Sequence, residues 1–185
     1  MQNGNSLQTL QGYPALLRSK FPDALTLTAE LSVPRMLEIR KRNGITKLSD
    51  CVRGNFPTLK DVELSHGEVA AVGMIRMHLI ALNKSMNQNR MTKEQIAEAA
   101  QLMYEEAWFL KLTELYEFFV LVKKGTYGEY YGSLDVLKIM ADLRLFLKDR
   151  AEAVRRIEAE RNRRKRNEEW DRRQKEWENA HPDNV

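Results

Sequence analysis

From residue 65 onward, apolar positions along the chain recur at helical spacing. Ser65 followed three residues later by Glu68 reads as a capping box. Val69, Val72, Met74, Ile75, Met77, Leu79, Ile80 and Leu82 then place apolar groups around more than half of a helix reaching about Met86. A helix apolar over so much of its girth belongs in the middle of a fold. Asn87-Gln88-Asn89 interrupts it, and Thr92 with Gln95 predicts the cap of the next helix, whose inner face carries Ile96, Ala99, Ala100, Leu102 and Met103. The pattern runs on through Leu112, Leu115, Phe118, Phe119 and Val122, with no Gly or Pro to mark a break near Trp108 or Lys111. Lys123-Lys124-Gly125 closes it, with cations at the negative helix end and glycine at the expected C′ position. After a Gly/Tyr-rich loop, Ser133 predicts the N-cap of a last helix held to the core by Val136, Leu137, Ile139, Met140, Leu143, Leu145 and Phe146.

The flanks are patterned differently. Residues 1–31 predict a loosely ordered arm with a short helix from Tyr13 to Lys20, closed at Phe21-Pro22 because proline disfavours helix in the residue before it. Ser32 with Pro34 opens a helix that stops at Asn43-Gly44, and a shorter turn follows from Thr46 to Arg53. Beyond Lys148 the apolar stripe fades: after Val154 and Ile157, only Trp170 and Trp177 are large and apolar. Residues 148–178 hold 12 Lys/Arg and 9 Asp/Glu. No helix breaker stands between Leu134 and Ala180, so the last helix is expected to run about 46 residues, roughly 70 Å, and to project from the bundle. The expected organisation is an arm over 1–31, an all-α bundle of five or six helices over 32–150, and a charged helical tail over 151–185.

Composition narrows the function. The 185 residues have room for one core, and a single cysteine, Cys51, excludes an intramolecular disulfide and a multi-cysteine zinc site. No apolar run approaches membrane length and the first dozen residues carry no secretory pattern, so a cytoplasmic setting and no membrane partner are expected. His66, His78 and His181 do not converge in sequence. His78, inside the most apolar helix, reads as a hydrogen-bonded core histidine ahead of a catalytic base. No phosphate-binding loop, dinucleotide fingerprint or Glu-x-x-His pair occurs. The expectation is no enzyme, no metal and no cofactor.

Two segments remain. In Lys123-Lys124-Gly125-x-Tyr127-Gly128-x-Tyr130-Tyr131-Gly132, closely spaced glycines imply a tight helix–helix corner. Its tyrosines either lid the bundle or, beside Lys123 and Lys124, present faces for bases or a protein partner. The second is the run Arg161, Arg163, Arg164, Lys165 and Arg166: a solvated helix self-paired through Glu160/Arg164 and Glu169/Arg173, a set of phosphate contacts, or an assembly element. A coiled coil in the register of the upstream stripe is unfavourable, since Arg161, Arg164 and Glu168 would fill its seam. Trp170 and Trp177, seven apart and off that register, share one face and suggest docking on another chain.

Four stretches between about residues 57 and 150 carry a resemblance. They are Met91-Thr92-x-x-Gln95-Ile96-x-x-x-Ala100, Leu110-x-Leu112-x-Glu114-Leu115-x-x-Phe118-Phe119, Lys124-Gly125-x-Tyr127-Gly128-x-x-Tyr131-Gly132-x-x-Asp135, and Leu143-x-x-Phe146-x-x-x-Arg150. The pattern resembles a helical family of no established activity from prophages and conjugative elements of gut-dwelling bacteria. That resemblance implies, by association, a bacterial host cell and an accessory role in DNA replication or processing. The expected partners are therefore DNA or a replication protein. A structural or assembly protein, oligomerising or docking through its long C-terminal helix, is the alternative.

Overall fold

The computed structural model describes residues 12–85, 90–128 and 134–180, and among them it is all α-helical. The helices are α1 (Tyr13–Lys20), α2 (Ala24–Glu30), α3 (Val33–Arg42), α4 (Leu48–Arg53), α5 (Leu59–His66), α6 (Glu68–Lys84), α7 (Lys93–Ala107), α8 (Leu112–Lys123) and α9 (Val136–Ala180). Seven of the described helices, α3 to α9, begin within 32–150, where five or six are expected, because the short α5 lies in a stretch without a readable stripe. Where sequence predicts a loose arm over 1–31, α1 and α2 are docked and bury Leu17, Phe21 and Leu27. Asp23 caps α2 through Thr26 N–H at 2.7 Å, and His66 Nε2 meets the Phe21 carbonyl at 2.9 Å, tying the α1–α2 corner to α5. The unforeseen α5 is opened by a Thr58/Asp61 capping box.

Ser65 is therefore not an N-cap. It sits in the last turn of α5, where its hydroxyl donates to the Val62 carbonyl, and Gly67 at φ 86° turns the chain into α6. The start of α6 is consequently two residues later than predicted, and Val69 is 89% exposed. The most enclosed helix is not α6 but α8, which buries Leu112, Thr113, Glu114, Leu115, Tyr116, Glu117, Phe118, Phe119 and Val122. Neighbours on several sides, α3, α4, α6 and α9, enclose it.

The unbroken pattern across 103–122 conceals a corner. The chain leaves α7 at Ala107, and residues 57–59 pair with it there: Leu59 N–H donates to the Leu110 carbonyl and Leu112 N–H to that of Pro57, both at 2.9 Å. This external pairing supplies what a glycine or proline would otherwise signal. Further on, Asp135 accepts from Lys138 N–H at 2.8 Å at the start of α9; Ser133, the expected cap, lies outside the described residues. The core stripe of α9 is Ile139, Met140, Leu143, Phe146 and Leu147, which leaves Leu137 and Leu145 exposed against expectation. Leu102, expected on the inner face of α7, is 36% exposed.

Candidate interaction surface

Two regions carry the residues singled out by sequence. The first is the corner between α8 and α9. Gly125 at φ 71° and Gly128 at φ 115° make a turn that L side chains rarely adopt. Lys138 staples this turn to α9: its Nζ donates to the Tyr127 carbonyl at 3.1 Å and to the Asp142 carboxylate at 2.6 Å. The Tyr127 ring packs against the core and its hydroxyl donates to Asp149 Oδ2 at 3.2 Å. Burial, then the nearby Asp149 carboxylate, push its ionisation well above the usual tyrosine range, which keeps the phenol a donor. Tyr127 thus lids the bundle. Lys123 and Lys124 are exposed at the end of α8, while Tyr130 and Tyr131 lie outside the described residues.

The second region is α9 itself, rooted in the bundle by charge as well as by its stripe. Arg150 Nε donates to Glu114 Oε1 at 3.0 Å, with its guanidinium 5.0 Å from the Phe109 ring centroid. Glu114 is fully buried, and its second oxygen accepts from Lys111 N–H at 2.9 Å. Arg144 pairs with Glu106 of α7 at 2.8 Å. The last tie is Arg53 of α4 to Glu160. Sequence gave no sign of Arg53: it lies 107 residues from its partner, and only the packing of α4 on α9 brings it beside Ile157, Arg161 and Arg164 in one groove.

Past Ile157 every described side chain of α9 is exposed, and the helix continues 23 residues, about 35 Å, to Ala180. Arg161, Arg163, Arg164, Lys165 and Arg166 occupy the start of this stretch. The self-pairing expected there differs in detail: Glu160 turns to Arg53, Arg164 reaches Glu168 at 3.8 Å, and Arg173 touches only the backbone carbonyl of Glu169. Arg161, Arg163, Lys165 and Arg166 have no ion pair among the described residues. At 100° per residue, Arg161, Arg164 and Lys165 continue the bundle-facing stripe, while Arg163 and Arg166 share the opposite face with Trp170 and Trp177. Those tryptophans are 61% and 50% exposed. The basic segment begins about 18 Å along the axis from Asp149, so it and the Tyr127 corner are separate surfaces.

Two reactive side chains, Cys51 and His78, lie buried. Cys51 is fully buried, and burial, followed by the Glu117 carboxylate, pushes its thiol up to about 12. His78 is held between aromatic rings: it stacks on Phe119 at 5.1 Å and meets Tyr116 edge-on at 5.8 Å. Burial, with a smaller push from Lys123, lowers its ionisation to about 3. Where sequence expected a hydrogen-bonded core histidine, the structure holds it by ring contacts. Among the described residues, no three His, Cys, Asp or Glu side chains gather as a metal site.

Fold and surface together define an all-α bundle from which one long, charged helix projects. Residues 89–170 match a family described as a family of unknown function (DUF6633), a stretch that takes in α7, α8 and most of α9. No curated protein and no solved structure matches the chain. Among the described residues, no helix is long and apolar enough to cross a membrane.

Proposed function

We propose that this chain is a non-enzymatic accessory protein that grips the sugar–phosphate backbone of DNA with the basic segment of α9. The observation that carries the reading is the set of four cations with no ion pair among the described residues, Arg161, Arg163, Lys165 and Arg166, on the exposed stretch of α9 that follows its tie to Arg53. Five positive side chains within about 8 Å of helix repel one another, and a phosphate polymer relieves that repulsion by releasing its own counterions. Because these cations point to all sides of the helix, they suit a helix lying in a groove with phosphates on both flanks. Contacts of this kind raise affinity without reading sequence. The resemblance to proteins of prophages and conjugative elements supports the same reading, as a setting in which DNA-handling accessory proteins are common.

The test is fluorescence anisotropy of labelled mixed-sequence DNA, single- and double-stranded, from about 50 to 200 mM salt. If most of the five cations meet phosphates, duplex affinity falls roughly 100- to 1,000-fold over that range. Replacing all five by glutamine in the full chain abolishes most of the slope. Binding that ignores salt, or that survives the five substitutions, refutes the proposal.

A further inference from the structure

The tryptophan face of the projecting helix contains more than two aromatic residues. Arg163, Arg166, Trp170, Arg173 and Trp177 follow one another at spacings of three, four, three and four. That is the seam of a two-helix coiled coil, on the side of α9 opposite the bundle-facing stripe. All five side chains are exposed. Two large aromatic rings held at 61% and 50% exposure on an otherwise polar helix keep much apolar surface in water.

We infer that this seam pairs with the same seam of a second copy of the chain, antiparallel, with the two-fold axis between Asp171 and Arg172. In that register Trp170 of one copy lies against Arg173 of the other, Trp177 against Arg166, and Arg163 against Ala180. Every tryptophan face meets a guanidinium, and no arginine in the seam faces another arginine. Glu169 stands level with Gln174 of the other copy and Glu176 level with Asn167, so the partners of these guanidinium groups in the seam are the tryptophan faces. The parallel arrangement fails on the same residues. It sets Arg163, Arg166 and Arg173 each against its own copy, making three of five layers like-charged. Sequence and geometry therefore select one orientation.

The bundles leave room for this pairing. Ala180 of one copy lies opposite Arg163 of the other, three residues past Glu160, the α9 carboxylate tied to Arg53, and on the helix face opposite the one turned to the bundle. The two arms overlap over about 26 Å with a bundle at each end. Pairing covers Arg163 and Arg166 but leaves Arg161, Arg164 and Lys165 facing outward on both copies. The inference thus goes beyond the DNA-binding proposal and stands whether or not DNA binds.

Sedimentation of the full chain, without nucleic acid, from low micromolar to submillimolar concentration is expected to show a monomer–dimer equilibrium. Trp170→Ala and Trp177→Ala, both at exposed sites, are each expected to lower the association constant about tenfold while the far-UV helix signal of the monomer stays unchanged. Orientation is read by pulsed dipolar spectroscopy on a spin label at Ala180→Cys; the buried Cys51, its thiol pushed up to about 12, is replaced by alanine in the same chain to give a single label site. The antiparallel pair places the labelled positions about 25 Å apart along the axis, whereas a parallel pair leaves only the interhelical separation of about 10 Å. A monomer at every concentration, a dimer indifferent to both tryptophan substitutions, or the short distance overturns the inference.

Discussion

Arg40 and Glu117 form an ion pair inside the bundle, between α3 and α8, and both side chains are nearly sealed from water, at 9% and 5% exposure. The guanidinium also lies 5.3 Å from the Tyr116 ring centroid. Arg40→Met keeps an unbranched apolar stem and removes the guanidinium, with its charge and its N–H donors. It strands a carboxylate in an interior where taking an ion out of water costs several kcal/mol. Breaking such a pair from one side costs about 3–5 kcal/mol, and the lost cation–π contact adds about 0.5–1. Glu117 Oε2 meets Arg40 as an ion pair without hydrogen-bond geometry, and the Thr113 hydroxyl, one turn earlier on the same face, is buried without a partner. A rotation of that hydroxyl towards Glu117, four residues on, would give the stranded carboxylate one donor and hold the cost near about 3 kcal/mol. For a domain stable by about 5–15 kcal/mol, this is a large share, and it lowers the melting temperature by roughly 6–12 °C. Urea unfolding is followed at Trp108 in a chain carrying Trp170→Phe and Trp177→Phe, so that the arm does not report. The decisive comparison is the double variant Arg40→Met/Glu117→Met, which removes both charges and should recover to within about 1 kcal/mol of the parent. A single-variant loss below about 1 kcal/mol, or a double variant no more stable than the single, refutes the account of this pair.

Two further outcomes follow from the same packing. His78 ionises at about 3 in the fold against its ordinary 6.5, so it contributes stability that is complete above about pH 6.5 and is lost as pH falls towards 3. Between pH 6 and 5 the urea-derived stability should fall by up to about 1.4 kcal/mol from this group, and His78→Phe should flatten that slope; equal slopes in both proteins would sink the assignment. The glycines flanking the start of α6 should respond in opposite directions. Gly67→Ala forces an L side chain to φ 86° and should cost about 1–3 kcal/mol, whereas Gly73→Ala, inside the helix with open space at its Cβ, should stabilise by about 0.5–1 kcal/mol. Thermal melts of the two variants check both signs at once.

Much of the fold was legible because local rules and tertiary demands agree. The Thr92/Gln95 capping box, the Asn43-Gly44 stop with Gly44 at φ 62°, and the Lys123-Lys124-Gly125 ending with Gly125 at φ 71° all stand where the sequence puts them. The reach of α9 was legible for the same reason: nothing breaks a helix between Leu134 and Ala180. In each case the information lies within a few residues of the feature it sets. The exposure of the basic run and of both tryptophans could also be anticipated, since no apolar stripe accompanies them past Ile157.

What sequence left open depended on chain segments far apart. The corner at residues 108–111 needs no glycine because residues 57–59 supply its hydrogen-bond partners. The burial of Glu114 and Glu117 on α8 looks like an error in a core helix until Arg150 and Arg40 arrive from α9 and α3 to neutralise them. Tyr127 could be a stacking face or a lid until Asp149 and Lys138 hold it as a lid. Arg53 gained its place beside Arg161 only when α4 packed on α9. The capped helix ends at Thr92, Asn43-Gly44 and Lys124-Gly125 and the unbroken run of α9 are set by neighbours in sequence, so the sequence by itself determined them. Charge neutralisation inside a core requires partners that only folding brings together, and there the tertiary structure alone decided.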